Sequence, residues 1–314
     1  MKPQVAVIGA NGYIGRHLVR ALQGLGCAVV PVGHRPESID HLPGYVPLDL
    51  RHLGSLPEPL KQVQVVYLCS GATGTLQGFT DYQRFIELNE VGLIELLTRL
   101  GEAKQHLTGP RRVVLPSTRL VYRGVPNTPL SEEAELAPLS VYAVSKLAAE
   151  RYLALFCRHL GLEFTITRIC VPYGSAFPGA LSYGTLLHFL RQAAQGGPLT
   201  VYGQGEQRRT LTHITDVAHM FGRAGLVAET ANGIFNIGGP DVLSIREVAD
   251  KIAARFDLRV VSRPWPKPSA ALESGDTIFD ASRLEAILGN TYTQRFEPWL
   301  ERLPEPTRAA MMKQ

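Results

Sequence analysis

The stretch VAVIGANGYIGRHLVRALQGLG, residues 5–26, carries most of the information about the fold. Four apolar residues in a row predict a short strand that is buried on both faces. Gly9, Gly12 and Gly15 follow at once, and a helix is expected over residues 13–25, closed by Gly26. Glycines at this spacing allow a sharp turn and a close approach of the backbone to a pyrophosphate at the helix N-terminus. The stretch therefore predicts a strand–turn–helix unit that binds a dinucleotide.

The alternation of strand and helix continues through the first half of the chain. Further strands are predicted at 28–32, 63–68, 112–115 and 163–167, and long helices at 82–100 and 141–159. This order indicates an α/β fold with a Rossmann-like, doubly wound parallel sheet. We expect residues 1–170, joined by about 212–240, to form the NAD(P)-binding domain. Residues 171–314, rich in proline and glycine, are expected to form a smaller α/β substrate-binding region interleaved with it.

Composition excludes several functional classes. The 314 residues carry a net charge of only +4, without the basic block expected of a nucleic-acid-binding protein. The four cysteines lie far apart, with no spacing typical of a metal site, so no metal is expected. No apolar run approaches the roughly 18 residues of a membrane span, and the run in MKPQVAVIGANG is too short for a signal peptide. A cytoplasmic protein is the expectation.

The end of the second strand bears on the choice of cofactor. A carboxylate there would bind an adenine ribose and repel a 2′-phosphate, but this chain has Val32, Gly33, His34 and Arg35. Glycine would leave space, and Arg35 and His34 could pair with a phosphate. NADP is therefore favoured, and NAD remains the alternative.

The segment YAVSK, residues 142–146, contains a candidate catalytic pair. Tyr142 and Lys146 are four residues apart in a predicted helix and so share one face. An ammonium group beside a phenol stabilises the phenolate and allows proton transfer near neutral pH. Taken alone, such a pair is more often an exposed pair on a helix face than a catalytic one.

Together these motifs resemble the extended short-chain dehydrogenases/reductases, in particular their NAD(P)-dependent nucleotide-sugar epimerases, dehydratases and reductases. The resemblance rests on the glycine motif, on Tyr142 and Lys146, and on segments along nearly the whole chain. Those segments are PLDLR (47–51), LNEVG (88–92), PSTRLVYRG (116–124), RICVPYG (168–174), YGQGEQRRTLTHITDVA (202–218) and FNIGG (235–239).

The resemblance assigns a role to each matched residue. Tyr142 is the implied acid/base, Lys146 binds the nicotinamide ribose and lowers the phenol pKa, and Thr118 orients the reacting oxygen. Arg209 is the implied diphosphate-binding group of a nucleotide-sugar-like substrate. The implied cofactor-binding residues, besides Tyr142 and Lys146, are Gly9, Asn11, Gly12, Tyr13, Ile14, Gly15, His34, Arg35, Asp49, Leu50 and Asn89.

Departures from the family pattern narrow the reaction. The acidic pair of dehydratases is replaced by Arg119 and Leu120, and Leu120 also replaces the cysteine of 3- and 5-epimerases. A 4-epimerase or a 4-ketoreductase is expected. Glu273 stands where relatives have a second arginine, and Val171 where they often have asparagine. A reductase of another small carbonyl compound, or a non-catalytic NADP-binding regulator, therefore stays open. Apolar residues on more than one face of the helix at 141–159 predict a homodimer.

Overall fold

The computed structural model describes residues 2–104, 112–175, 177 and 184–304. The strands, numbered in chain order, are β1 (Gln4–Ile8), β2 (Ala28–Gly33), β3 (Val46–Pro47), β4 (Val65–Leu68), β5 (Arg112–Thr118), β6 (Pro129–Leu130), β7 (Glu163–Ile169), β8 (Val171–Tyr173), β9 (Leu199–Tyr202), β10 (Arg208–His213), β11 (Gly233–Ile237), β12 (Asp241–Ser244), β13 (Val260–Arg263) and β14 (Ile278–Phe279).

Helices cover both faces of the main sheet. The α-helices are α1 (Tyr13–Gly24), α2 (Glu58–Lys61), α3 (Gln77–Thr80), α4 (Tyr82–Ile86), α5 (Gly92–Lys104), α6 (Val141–Leu160), α7 (Gly184–Ala194), α8 (Ile214–Leu226), α9 (Ile245–Arg255), α10 (Lys267–Ala270), α11 (Ser282–Leu288) and α12 (Phe296–Glu301). Short 3₁₀ helices occur at Leu50–His52, Arg119–Val121 and Ala228–Thr230, and a π-helical segment at Glu87–Val91.

The main sheet confirms the predicted doubly wound architecture. Within the described residues it has seven strands in the order β11–β7–β5–β4–β1–β2–β3, and every neighbouring pair is parallel. The strand order reverses between β1 and β4, and ligands of such sheets bind in the crevice at the carboxyl ends of the strands there. Gly9 and Cys69, which follow these two strands, both lie at that crevice.

The uninterrupted apolar strands form two cores, one on each face of the sheet. In β1, Ala6 and Ile8 pack into the cluster that contains α5 and α6, whereas Val5 and Val7 pack into the cluster that contains α1 and α8. Side chains alternate along a strand, so a strand covered on both faces must be apolar at every position.

The second half of the chain builds smaller sheets and also returns to the large one. Strands β12, β10 and β8 form one sheet, and β13 pairs with β9 over a third apolar core. Strand β11 pairs in parallel with β7 at the edge of the main sheet, and α8 packs against α1. The chain therefore crosses from the large sheet to the small sheets and back.

The helix predicted as a single element over residues 82–100 is interrupted. It consists of α4, the π-helical segment and α5, and Asn89 lies in the middle of the π-helical part. A π-helical turn inserts an extra residue into a helix and often marks a functional site. Side-chain periodicity does not reveal such an insertion.

Candidate active site

The glycine motif brings the chain unusually close to itself between β1 and α1. Gly9 has φ +93°, and a Cβ atom there would lie 2.6 Å from the Ser70 backbone nitrogen. A Cβ on Gly15 would lie 2.1 Å from the Gly9 carbonyl oxygen. Gly12 is the N-cap of α1, and no side chain caps this end of the helix. These residues fit a dinucleotide pyrophosphate, because glycines have no side chain to keep it from the backbone and the positive end of the helix dipole faces the crevice.

The end of β2 differs from the sequence-based expectation in one respect. The space beside Gly33 is occupied by Tyr45, whose hydroxyl oxygen lies 2.7 Å from where a Cβ of Gly33 would be. That hydroxyl donates to the Arg35 carbonyl (2.9 Å) and accepts from Nδ2 of Asn11 (3.1 Å). Gly33 therefore accommodates a tyrosine that approaches from the start of β3, and that residue carried no signal in the sequence.

The charged side chains beyond β2 remain exposed. His34 and Arg35 both lie at the surface, and Arg35 forms no ion pair within the described part of the chain. The same loop contains two carboxylates, Glu37, which is exposed, and Asp40, which is bound by Arg16 at 2.5 Å.

Asp49 and Leu50 begin the 3₁₀ helix that follows β3. The Asp49 carboxylate accepts a hydrogen bond from the Arg51 backbone N–H and pairs with the Arg51 guanidinium at 2.5 Å. The hydrogen bond from Arg51 lowers the Asp49 pKa to about 2. Leu50 is buried beneath Gly92. Asp49 is thus neutralised by its neighbour, and Leu50 contributes to the core.

Helix α6 places the predicted Tyr–Lys pair in its first two turns. Ser140 caps the helix by accepting from the Ala143 N–H at 3.1 Å. Tyr142 packs edge-on against Phe85, with 6.3 Å between ring centroids. Lys146 is buried one turn later. The cap fixes the start of the helix, and the start of the helix fixes where the phenol lies.

The environment of Lys146 changes its protonation. Burial lowers the Lys146 pKa to about 8, although the carboxylate of Glu150 acts in the opposite direction. Glu150 is itself buried and paired with Arg168 at 2.7 Å. Cys69, directly after β4, is close enough to Lys146 for each group to influence the pKa of the other. A buried lysine with a lowered pKa beside a crevice is typical of a functional site.

Thr118 is the last residue of β5, at the same end of the sheet. Its side chain is buried, and its hydroxyl oxygen accepts from the Leu120 N–H at 3.3 Å, which caps the 3₁₀ helix that follows. Arg119 lies near enough to Tyr142 for the two groups to interact electrostatically. The ends of β4 and β5 and the start of α6 therefore meet at one place.

Asn89 is bound within the protein. Its Nδ2 donates to the Ala72 carbonyl (3.1 Å) and to the Ser145 hydroxyl (2.9 Å), and its Oδ1 accepts from the Ala72 N–H (2.8 Å). Ser145 precedes Lys146 in α6. Asn89 thus ties the chain after β4 to helix α6 through both N–H groups of its amide.

The guanidinium of Arg209, which the resemblance assigns to a diphosphate, is buried and already paired. Its side chain is 2% exposed and pairs with Glu273 at 2.5 Å, and its Nη1 donates to the carbonyls of Arg208 and Gly275. A diphosphate would have to compete with the Glu273 carboxylate. Arg119 is a second cation near Arg209. Sequence reasoning noted this residue only as a departure from the dehydratase pattern and assigned it no role.

Comparison with known proteins identifies the family of this chain. The sequence model of the NAD dependent epimerase/dehydratase family matches residues 5–238. The chain belongs to this family. It is therefore an enzyme of the extended short-chain dehydrogenase/reductase type.

Individual relatives of this family member agree with that assignment. A UDP-N-acetyl-alpha-D-glucosaminuronate decarboxylase of Bacillus cytotoxicus is 30% identical, with 85% of each chain covered. The structure of MoeE5 in complex with UDP-glucuronic acid and NAD has a TM-score of 0.80 at 26% identity, covering 99% of both chains. DesIV, a dTDP-glucose 4,6-dehydratase from Streptomyces venezuelae with NAD bound, has a TM-score of 0.82 at 24% identity over 95% of each chain.

Within the described residues, no helix is long and apolar enough to cross a membrane.

Proposed function

We propose that this enzyme carries out NAD(P)-dependent redox chemistry at C4 of a nucleotide sugar, as a 4-epimerase or a 4-ketoreductase. The observation that carries the proposal is the buried Lys146, one turn beyond Tyr142, at the crevice where β4 and β5 end. The bound nicotinamide would accept or supply a hydride at its C4 position.

The residues of the chain would handle the proton. Tyr142 takes the proton from the C4 hydroxyl of the sugar as the ketone forms, and returns it in the reverse direction. Thr118 donates a hydrogen bond to the same oxygen and orients it. Lys146, held as an ammonium group at neutral pH, stabilises the phenolate and binds ribose hydroxyls. Asn89, through Ser145, fixes the turn of α6 that carries Lys146.

Decarboxylation of a sugar carboxylate is the second candidate. The names of the relatives favour it, since one 30% identical relative is a decarboxylase of a nucleotide-linked uronic acid. Oxidation at C4 turns a C5 carboxylate into a β-keto acid. The bond from C5 to the carboxylate then breaks, its electron pair moves toward the C4 oxygen near Tyr142, CO₂ leaves, and a proton takes its place at C5. Dehydration stays disfavoured, because Arg119 and Leu120 cannot protonate a leaving hydroxyl.

Incubation with a panel of UDP- and dTDP-linked sugars, their uronic acids and their 4-keto forms tests the proposal. Consumption of NADPH marks a reductase, interconversion without net consumption an epimerase, and release of CO₂ a decarboxylase. A protein that binds cofactor but converts no nucleotide sugar would instead be the reductase of another carbonyl compound or the regulator.

For the cofactor, we propose NADP in preference to NAD. The support is the exposed Arg35 beyond β2, which forms no ion pair within the described ranges. The end of that strand carries no carboxylate, and Asp40 is already bound by Arg16. The solved neighbours contain NAD, so this preference would set the chain apart from them.

We also propose that two copies pair through α6 and the helices before it, and that residues 171–314 supply the substrate wall. Apolar side chains at the surface of these helices support the dimer, because a monomer rarely exposes so many in one region. They are Phe79 (57% exposed), Tyr82 (52%), Ile86 (42%), Val91 (48%), Val144 (53%) and Leu155 (59%). Sedimentation of the purified protein gives the oligomeric state directly.

A further inference from the structure

Three charged side chains lie together beyond the end of β5. Arg119 and Arg209 are the cations, and Glu273 is the carboxylate. Glu273 pairs with Arg209, and its Oε1 also accepts from the Gly275 N–H at 3.1 Å. These three side chains therefore carry one more positive charge than negative charge, and the charge without an ion-pair partner is that of Arg119.

The guanidinium of Arg119 has only weak internal partners. Its Nη1 donates to the hydroxyls of Ser274 (3.2 Å) and Thr277 (3.4 Å). Within the described residues, Nε and Nη2 donate no hydrogen bond, and no carboxylate forms an ion pair with this side chain. The edge of the guanidinium that can hold both oxygens of a carboxylate is thus the edge left without a partner.

The surroundings of Arg119 disfavour a charge that has no counterion. The residue is partly accessible to solvent, yet protein atoms surround its charged group. Burial, followed by the like charge of Arg209, lowers the Arg119 pKa to about 10. An anion at this place would relieve both effects.

The segment facing Arg119 is firmly held, so the cluster is a built feature of the cleft wall. The Gly124 N–H donates to the Ser274 carbonyl at 2.8 Å. Asp276 accepts from the backbone N–H groups of Asn127 (2.8 Å) and Arg208 (2.7 Å). Chain segments far apart in sequence are joined here.

The position of Arg119 indicates which anion it would meet. Arg119 directly follows Thr118 and lies near Tyr142, the two residues assigned to the reacting C4 oxygen. A carboxylate on C5 of a hexuronic acid is adjacent to C4, whereas the diphosphate on C1 lies across the sugar ring. We propose that Arg119 is a specificity-determining residue that binds a carboxylate on the sugar, so that the substrate is a nucleotide-linked uronic acid. This inference rests on the proposed function and names its substrate class.

Calorimetry with UDP-glucuronic acid and UDP-glucose on the cofactor-loaded protein tests the inference. The two ligands share nucleotide, diphosphate and ring, and differ only in the carboxylate. A charge-assisted contact predicts that wild type binds UDP-glucuronic acid about ten- to a hundredfold more tightly. Because both ligands carry the diphosphate, the diphosphate cannot be the reason for a preference. Equal affinities, or tighter binding of UDP-glucose, overturn the inference without any variant.

Two variants locate the effect. Arg119→Gln can still donate to the hydroxyls of Ser274 and Thr277 but carries no charge, so the preference should fall to within about threefold of unity. Arg123→Gln removes the same charge from a surface side chain paired with Glu135, both 63% exposed, and should keep the wild-type preference. A preference that survives in Arg119→Gln assigns Arg119 a purely structural role and also overturns the inference.

Turnover is measured separately, so the two proposals can fail independently. A tenfold preference in binding without conversion of any nucleotide sugar supports the role of Arg119 and removes the proposed reaction. Conversion of neutral nucleotide sugars, with no preference for the uronic acid, supports the proposed reaction and overturns the role of Arg119.

Discussion

The two walls of the cleft are built in different ways. The cofactor wall consists of backbone: Gly9 and Gly15 lie so close to neighbouring main-chain atoms that any side chain would collide with them. The wall that we propose for the substrate consists of charged side chains from distant segments. There Arg209 is neutralised by Glu273, and Arg119 forms no ion pair among the described residues. The glycines of the first wall lie three positions apart in the sequence, although Gly9 also packs against the backbone of Ser70. The second depends on which long side chains meet after folding.

The largest effect is expected at the point where the two walls meet. Tyr142→Phe should reduce kcat by about 100- to 10,000-fold, the usual contribution of general acid/base catalysis. The ring would still pack against Phe85, so cofactor affinity should stay within about threefold, a difference below 1 kcal/mol. Steady-state kinetics and a cofactor titration measure the two quantities. As a control, Tyr152→Phe makes the same chemical change elsewhere on α6 and should leave the rate unchanged. A Tyr142→Phe enzyme with half the wild-type rate would remove Tyr142 from the mechanism.

The cofactor wall should tolerate no added side chain. Gly15→Ala places a Cβ 2.1 Å from the Gly9 carbonyl oxygen, which forces the phosphate-binding turn to move. A displacement near 1 Å at such a site costs on the order of a hundredfold, and we expect that loss in cofactor affinity, measured by fluorescence titration. Gly24→Ala is the matched control, because a Cβ there has no atom within 4 Å and lies in the same helix. Equal affinities of the two variants would show that the turn has room.

The edge of the cofactor wall depends on the side chain of Arg35. If Arg35 contacts a 2′-phosphate, NADPH should bind roughly ten- to a hundredfold more tightly than NADH at low salt. Arg35→Ala should remove most of that difference and leave NADH affinity unchanged. Because Arg35 is exposed, added salt should also narrow the difference. Equal affinities in wild type would indicate an enzyme that uses NAD.

The smallest effect concerns pH. Burial lowers the Lys146 pKa to about 8, so the free enzyme carries the ammonium below that pH and loses it above. A cofactor bound through this ammonium should therefore bind about tenfold less tightly at pH 9.5 than at pH 7.5, with proton uptake on binding at the higher pH. Titrations across this range, with Lys146→Met as the reference without the titrating group, measure the effect. A flat profile in wild type would contradict the ribose-binding role.

The sequence alone predicted the strands of the parallel sheet, the glycine turn and the helix that carries Tyr142 and Lys146. The patterns that predict these features are local. An apolar run of four residues, glycines three apart, and a tyrosine and lysine one helical turn apart each act through neighbours a few residues away. The resemblance to the family rests on the same local motifs, and the family match over residues 5–238 agrees with it.

Tertiary structure alone decided how the charged and polar groups are used. It filled the space beside Gly33 with Tyr45, bound both N–H groups of the Asn89 amide within the protein and paired Arg209 with Glu273. Among the residues that the structure describes, it gave Arg119 no carboxylate as an ion-pair partner. A hydrogen bond or an ion pair depends on atoms within about 3–4 Å, and chain segments that far apart in space can lie anywhere in sequence. Arg119 and Ser274 are separated by 155 positions. No local pattern connects them, because only the folded chain brings the end of β5 against residues 273–277.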